Sequence, residues 1–233
     1  MKIYMMGDST MKFNNITSYP QVGWGQFLHV FTKNEYLIED HAENGKSTKS
    51  FKAEGRFDVI LSRLQPNDYV ICQFGHNDGK KEDPTRFTEP QGDYIQNLKY
   101  YADEVTKKGA KIIFATPIAR HKFVDGVLEN THTPYQNAML QFCQENGYTC
   151  IDMSTLTMDL YKQLGEEESK KFHMIFPAGA YVNYPNGMDD HTHLRYVGAL
   201  TIAEIFVRAV LVSDHPIKEC FIDLGDKPAI LLP

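Results

Sequence analysis

Short apolar runs alternate with helical patterns along the chain, and five of these runs are typical of buried strands. The strongest, at residues 68–74, is nearly continuous in apolar and β-favouring side chains, as expected of a strand covered on both faces. The others lie at residues 3–6, 36–40, 111–115 and 150–153. Strands that alternate with helices at this spacing form βαβ units, so the pattern predicts an α/β fold in which helices cover both faces of a mostly parallel sheet.

Helical spacing and local end signals predict the segments that connect these strands. A glycine turn at residues 44–47 precedes a helix whose expected N-cap is Ser47 or Thr48, and Gly109 and Gly147 mark the ends of two later helices. The predicted helices cover residues 23–31, 93–108, 134–146, 197–212 and a polar stretch up to residue 171, and the predicted loops cover residues 120–133 and 176–187.

Polar side chains and glycines follow the ends of the predicted strands. Ser9 lies in the turn after the first strand, Gly45 follows the second and Asn77 follows the third. Asp190 and His193 come just before the last helix. Since ligands of three-layer α/β folds bind at the carboxyl ends of the strands, these residues are expected to converge there.

The residue types at these positions predict acyl-transfer chemistry. A serine hydroxyl is a weak nucleophile until a base takes its proton, and histidine does this best near neutral pH. Asp190 precedes His193 by three residues, close enough to orient the ring, so Ser9, His193 and Asp190 form a candidate catalytic triad. The Asn77 amide and the backbone N–H groups of Ser9 and Gly45 are the expected donors to the oxyanion.

Composition and charge narrow the class of partner. The 233 residues contain no linker-like stretch, and 42% apolar with 23% charged residues is typical of a single globular domain spanning residues 1–233. A net charge of −6 disfavours nucleic acid and anionic membranes as partners. The four cysteines show no C-x-x-C pair and are expected to be reduced, and the lack of a signal peptide or an 18-residue apolar run predicts a cytoplasmic protein.

Four blocks in this order resemble the SGNH (GDSL-like) hydrolases: Gly7-Asp8-Ser9, Gly45, Gly75-His76-Asn77-Asp78 and Asp190-x-x-His193. The resemblance implies a flavodoxin-like three-layer α/β/α sandwich with a five-stranded parallel sheet. It also implies that Ser9 is the nucleophile and first oxyanion donor, that Gly45 and Asn77 are the other donors, that His193 is the base and that Asp190 orients it.

Further matches resemble the rhamnogalacturonan acetylesterase branch and extend from residue 3 to about residue 210. That branch removes acetyl groups from pectic rhamnogalacturonan, which implies an acetylated oligosaccharide as substrate and requires no metal or organic cofactor. Leu194 departs from the Phe that often follows the histidine, and the tail at residues 214–233 matches nothing in the family. The matching segments are residues 7–11, 44–51, 73–78, 116–120, 125–126, 131–132, 135, 192–193 and 198–199.

Several further side chains are candidates for contact with substrate. Arg120 and His132, with His121 and Lys122, could meet an acidic sugar such as galacturonate, although an ordinary solvated loop fits the sequence equally well. His76 lies beside the expected oxyanion donors and could instead pack its own turn. Flat rings suit pyranose sugars, but aromatic residues more often fill a core. The aromatic candidates are Trp24, Tyr181 and Tyr184.

Three other interpretations fit the sequence less well than a carbohydrate acetylesterase. A lipase or thioesterase of the same fold would need a broad apolar groove, and the loops here are rich in Tyr, His, Arg, Asn and Gly. A non-catalytic carbohydrate-binding protein is disfavoured because every triad and oxyanion position carries a competent residue. His191-x-His193 as a metal pair is disfavoured because no third ligand has useful spacing.

Overall fold

Nine strands and six α-helices alternate along residues 1–225, the part of the chain that the computed structural model describes. In chain order they are β1 (Lys2–Gly7), β2 (Leu37–Asp40), α1 (Thr48–Ala53), α2 (Arg56–Arg63), β3 (Tyr69–Gln73), α3 (Ile95–Lys107), β4 (Lys111–Ala115), β5 (Phe123–Val124), β6 (Val127–Leu128), α4 (Thr133–Asn146), β7 (Cys150–Ile151), α5 (Met153–Ser169), β8 (His173–Phe176), β9 (Met188–Leu194) and α6 (Tyr196–Leu211).

A five-stranded parallel sheet in the order β2-β1-β3-β4-β7 forms the centre of the molecule, which confirms the predicted fold class. The chain first winds outward from β1 to β2 and then returns to place β3 on the other side of β1. The strand order therefore reverses between β1 and β3, and the crevice at such a reversal is where doubly wound folds bind ligands. The turns that carry Ser9 and Asn77 follow these two strands.

Alternate residues of each central strand face two separate cores. In β1, Ile3 and Met5 point into the core beneath α6, whereas Tyr4 and Met6 point into the core beneath α1 to α4. Both faces of the sheet are buried, as the nearly continuous apolar strands predict. This is the three-layer sandwich that the sequence indicates.

Most element bounds lie within two residues of the prediction, and the differences have local causes. The helix expected at residues 23–31 is a 3₁₀-helix, Trp24–Phe31. The helix expected from residue 93 begins at Ile95 because Pro90 and the non-helical Gly92 form a separate turn before it. The loop expected at residues 120–133 contains the hairpin β5–β6, whose tip is a left-handed Asp125-Gly126 pair.

The antiparallel pair β8–β9 is absent from the prediction. Its ladder joins His173 to Leu194 and Met174 to Asp190, so residues 191–193 bulge out of the pairing. Because almost every residue of β9 before Leu194 is polar, the strand lacks the apolar alternation on which its recognition would depend. The bulge presents Asp190 and His193 toward β1.

Part of the tail at residues 214–233, which matches nothing in the family, completes the core beneath α6. A 3₁₀-turn at Pro216–Cys220 buries Ile217, Cys220 and Phe221 in the core beneath α6. Residues 226–233 of the predicted tail lie outside the described residues. All four cysteines are free thiols, and within residues 1–225 no helix has the length and apolarity that crossing a membrane requires.

Trp24, one of the candidate sugar-stacking rings, is a core residue, which corrects that expectation. Its ring is completely buried and lies 5.0 Å from that of Phe206 in α6. The indole N–H donates to Gln73 Oε1 at 2.8 Å, and Gln73 Nε2 donates to Thr10 Oγ1 at 2.9 Å. The indole therefore stabilises the corner that holds Ser9 and cannot meet a ligand.

We expect Trp24→Phe to lower the free energy of unfolding by about 2–4 kcal/mol, because it leaves a small cavity and an unpaired buried acceptor on Gln73. Urea unfolding followed by circular dichroism measures this. Tyr196→Phe is the control, since Tyr196 is half exposed and loses only its hydroxyl. Equal stability of the Trp24 and Tyr196 variants would contradict the structural role of the indole.

Candidate active site

The corner after β1 holds Ser9 at the carboxyl edge of the sheet. Asp8 shapes this corner, since its carbonyl accepts from the N–H groups of Met11 and Lys12 at 3.2 Å and its carboxylate accepts from Thr10 N at 2.9 Å. A side chain at Gly7 would place its Cβ 2.8 Å from the Gln73 carbonyl, so only glycine permits this approach of β1 to β3. Ser9 is left nearly buried but with its hydroxyl free to face the bulge of β9.

Ser9, His193 and Asp190 are hydrogen bonded in series. His193 Nε2 lies 2.9 Å from Ser9 Oγ, and His193 Nδ1 lies 2.6 Å from Asp190 Oδ2. An ionised Asp190 can only accept, so Nδ1 carries the hydrogen and the lone pair of Nε2 faces the serine hydroxyl. In this arrangement the imidazole can take the serine proton.

The Asp190 carboxylate is held ionised by its surroundings. Its Oδ1 accepts from the backbone N–H groups of Thr192 at 2.8 Å and His193 at 3.1 Å, the two amides that the bulge turns inward. Burial by itself raises the pKa of Asp190, but the His193 contact and these two amides outweigh it and hold the pKa well below its usual value. The carboxylate can therefore stabilise a positively charged His193.

The three predicted oxyanion donors come from the turns after β1, β2 and β3. The backbone N–H groups of Ser9 and Gly45 donate to no residue that the structure describes, and Gly45 adopts the left-handed conformation, with φ of 71°. Asn77 Nδ2 donates one hydrogen to the Lys46 carbonyl at 3.1 Å and keeps its second hydrogen available. The three predicted oxyanion donors thus lie on adjoining turns.

A buried carboxylate fixes the turn that carries Asn77. Asp78 Oδ1 accepts from Thr48 N at 3.0 Å, Thr48 Oγ1 at 2.6 Å and Thr88 Oγ1 at 3.0 Å. These bonds tie the turn after β3 to the start of α1, where Ser47 is the N-cap. Burial raises the pKa of Asp78 to about 7.

His76 contacts Asp8 and so supports the corner that holds Ser9. Its Nδ1 lies 3.1 Å from Asp8 Oδ2, and its ring packs edge-on against His132 at 4.4 Å. Arg120 Nη2 donates to the His76 carbonyl at 3.2 Å. Burial by itself raises the pKa of Asp8, but His76 and the Thr10 donors lower it overall. Three of the four predicted substrate-contact residues, His76, Arg120 and His132, thus lie together over the ends of β3 and β4.

The fourth, Tyr184, lies in the loop between β8 and β9. Its hydroxyl donates to the Ser18 carbonyl at 3.3 Å, and its half-buried ring packs against Phe176. Tyr181 packs against Phe176 and Tyr19 in the same group. The predicted loop at residues 176–187 therefore closes onto the segment that follows Ser9.

The neighbouring loop residues His121, Lys122 and His191 contact other groups. His121 Nδ1 lies 3.2 Å from His191 Nδ1, and Lys122 pairs with Glu129 at 2.7 Å. His191 Nε2 also lies 3.0 Å from Asp189 Oδ1. Within residues 1–225, no group of three His, Cys, Asp or Glu side chains is arranged to hold a metal ion.

Arg86 lies beside two of the candidate oxyanion donors, Asn77 and Gly45, and the sequence analysis did not single it out. Its Nη1 lies 3.4 Å from Asn77 Oδ1, and the same atom lies 3.4 Å from the position that a Cβ on Gly45 would occupy. An ion pair with Asp83 holds the guanidinium there. It belongs to no motif, and only the folding of the loop after Asn77 brings it to the oxyanion donors.

The fold and the hydrogen-bonded serine define a class of acyl-transfer hydrolase. Residues 5–196 match the GDSL-like lipase/acylhydrolase family, and the chain belongs to this family of ester hydrolases. It is 34% identical over 220 residues to the rhamnogalacturonan acetylesterase RhgT of Bacillus subtilis (strain 168), covering 94% of this chain and 93% of that protein.

Two further proteins are similar over at least 90% of this chain. The rhamnogalacturonan acetylesterase of Emericella nidulans is 28% identical, over 91% of this chain and 85% of the relative. The crystal structure of YxiM from Bacillus subtilis superposes with a TM-score of 0.76 at 26% identity, over 90% of this chain. This chain spans 55% of that one.

The buried Asp78 predicts a specific dependence of stability on pH. In the unfolded chain its carboxyl loses its proton near its ordinary pKa of 3.8, whereas in the folded protein it keeps the proton up to about pH 7. The unfolded state therefore binds fewer protons between these values, and the contribution of Asp78 to stability falls as pH rises.

We expect Asp78→Asn, which resembles the protonated carboxyl, to remove this decline. Free energies of unfolding in urea at pH 4.5 and pH 7.5 measure it, with the exposed Asp103→Asn as control. If the free energy of unfolding of the Asp78 variant changed between the two pH values as much as that of the wild type, the Asp78 carboxyl of the folded protein would be ionised throughout this range.

Proposed function

We propose that the protein hydrolyses O-acetyl esters on pectic carbohydrate through an acetyl-serine intermediate, with Ser9 as nucleophile, His193 as base and Asp190 as its orienter. The observation that carries this proposal is the series of hydrogen bonds from Ser9 Oγ through His193 to Asp190, at 2.9 Å and 2.6 Å. Residues 184 positions apart form the first of these bonds, so the fold has assembled them.

In the proposed first step, Ser9 Oγ attacks the acetyl carbonyl carbon while its proton moves to His193 Nε2. The negative oxygen of the tetrahedral intermediate accepts from the N–H groups of Ser9 and Gly45 and from Asn77 Nδ2, and one such donor typically contributes about 10²- to 10³-fold to the rate. Collapse breaks the bond to the sugar oxygen, which takes the proton from His193 and leaves as the alcohol.

In the second step, water attacks the acetyl-serine and gives its proton to His193. The same donors stabilise the second tetrahedral intermediate, which releases acetate and restores the Ser9 hydroxyl. During both steps the ionised Asp190 stabilises the imidazolium form of His193. The proposal needs no group besides these residues and water.

Two observations support a carbohydrate rather than a lipid as the acyl carrier. Relatives at 34% and 28% identity carry the name rhamnogalacturonan acetylesterase. The cavity over the ends of β3 and β4 is lined mainly by polar side chains, which suits sugar hydroxyls better than an alkyl chain. We propose that His76, Arg120 and His132 line the substrate on this side and that Tyr184 lines it on the other.

Ser9→Ala should lower the turnover of p-nitrophenyl acetate by several orders of magnitude, since losses of about 10⁶-fold follow removal of such a nucleophile elsewhere. Circular dichroism of the variant controls for folding. Thr10→Ser, which keeps a hydroxyl next to Ser9, should stay active. Turnover by a folded Ser9→Ala protein near the wild-type rate would end the serine mechanism.

The substrate class is tested by acetate release from three acetylated substrates. We expect acetylated rhamnogalacturonan oligomers to be hydrolysed with a higher kcat/KM than acetyl-xylan oligomers or short-chain acyl thioesters. Hydrolysis of the two acetylated sugars is followed by enzyme-coupled detection of acetate, and hydrolysis of the thioester is followed by release of the thiol. Preference for the thioester would identify a different acyl carrier and refute the pectic assignment while leaving the serine mechanism intact.

A further inference from the structure

Two histidines join the bulge of β9 to the loop after β4. His121 N donates to the His191 carbonyl at 2.9 Å, and His191 Nδ1 lies 2.7 Å from the His121 carbonyl, so the two residues are hydrogen bonded in both directions. Their ring centroids are 5.4 Å apart, and His121 Nδ1 lies 3.2 Å from His191 Nδ1. Because His191 directly follows Asp190, this contact lies one residue from the candidate triad.

The hydrogens of this pair can be assigned from its partners. His121 Nε2 lies 2.9 Å from the Glu166 carbonyl, which can only accept, so Nε2 carries a hydrogen. Burial lowers the pKa of His121, and a neutral ring with its hydrogen on Nε2 has a lone pair on Nδ1. His191 Nδ1 must then donate, and its hydrogen is shared between the carbonyl and Nδ1 of His121. The side-chain hydrogen bonds therefore run in one direction, from His191 through His121 to Glu166.

His121 is the fixed member of the pair. It is 1% exposed, and its ring packs against Phe123 at 5.0 Å and His173 at 5.4 Å. Burial lowers the pKa of His173 to about 3, so the ring against which His121 packs is neutral. His191, in contrast, is exposed. The hydrogen bond to the buried ring and its carbonyl therefore holds an otherwise exposed side chain in one place.

The bulge needs such support because its residues have left the ladder. His173 and Met174 are consecutive in β8, but their partners in β9 are Leu194 and Asp190, so residues 191–193 have no partner residue in β8. The orientation of His193 toward Asp190 therefore depends on the conformation of the bulge. A displacement of about 1 Å at a reacting group can cost about 10²-fold in rate.

We propose that His121 and His191 are positioning residues for the candidate triad. They hold the bulge against the loop after β4 and against α5, so that Asp190 and His193 stay in line with Ser9. The inference rests on the proposed function, since the place of the bulge affects catalysis only if His193 is the base. Both histidines act through the triad and not on the substrate.

His191→Leu tests the role of the hydrogen bond. We expect kcat for p-nitrophenyl acetate to fall about 5- to 10-fold, the equivalent of one hydrogen bond, and KM to stay within about twofold of the wild type, because the base is misplaced while binding is unchanged. His191→Asn should restore kcat to within about twofold of the wild type, since the side-chain nitrogen of Asn can donate from the place of Nδ1.

His29→Leu is the matched control. His29 is also exposed, and its Nδ1 lies 2.7 Å from the Gln26 carbonyl, but this contact stays within the 3₁₀-helix Trp24–Phe31. The variant should keep the wild-type kcat and KM. Urea unfolding of the His29 and His191 variants checks that each is fully folded under the assay conditions.

Proton NMR gives a readout that a general loss of stability does not move. The Nδ1 hydrogen of His193 lies in a short hydrogen bond to Asp190, and a hydrogen in such a bond resonates far downfield. The signal should persist in His29→Leu and His191→Asn. It should broaden or disappear in His191→Leu, because a looser bulge opens the bond to exchange with water. Asp190→Asn should lack the signal, which assigns it.

A double variant tests whether the two histidines act together. His121→Phe keeps a ring in the buried position and removes both nitrogens. If His121 and His191 act through their shared hydrogen bond, the loss of kcat in the double variant His121→Phe/His191→Leu should be smaller than the product of the two single losses. Losses that multiply would show independent effects and refute the pair.

Three results would overturn the positioning role: wild-type kcat in His191→Leu, a rise in KM alone, or equal losses of kcat in His191→Leu and His191→Asn. The proposed function fails in a different way. If Ser9→Ala turns over p-nitrophenyl acetate normally, the serine mechanism itself is refuted. If turnover depends on Ser9 but kcat is unchanged in His191→Leu, only the positioning role is refuted.

Discussion

The close parallel pairing of β1 with β3 is the constraint on which the active site depends. Met5 pairs with Ile71 and Gly7 with Gln73, so the turns after both strands begin at the same level of the sheet edge. The absence of a side chain at Gly7 permits this approach. Ser9 and Asn77 are therefore neighbours. The residues that precede them, Asp8 and His76, are 68 positions apart in the sequence and contact each other directly.

Buried polar groups hold this edge in one arrangement. A chain of hydrogen bonds runs from the Trp24 indole through Gln73 and Thr10 to Asp8, and Asp8 then meets His76. Each group in the chain would be costly to leave unpaired away from water. The network therefore resists small displacements of Ser9, as the proposed nucleophile requires in order to stay within hydrogen-bond reach of His193.

The hydrogen-bonded residues of the candidate site come from two different sheets. The corner after β1 and the turns after β2 and β3 rest on the central sheet, whereas Asp190 lies in the ladder of the β8–β9 ribbon and His193 in its bulge. The bulge gives the carboxylate two inward-facing amides, and this explains how one Asp can orient the imidazole and remain ionised.

The sequence alone determined the fold class, most strand and helix bounds and the candidate triad and oxyanion residues, because these depend on local patterns: apolar runs, turn residues and short motifs. It did not reveal the pair β8–β9, because β9 is almost entirely polar before Leu194 and carries no apolar period. Nor did it reveal Arg86, which no motif marks. Nor could it decide that Trp24 is core, or that Arg120 and His132 share one cavity with His76. Those facts depend on which distant segments pack together, and only the tertiary structure brings side chains from β3, β4 and α4 around a common space.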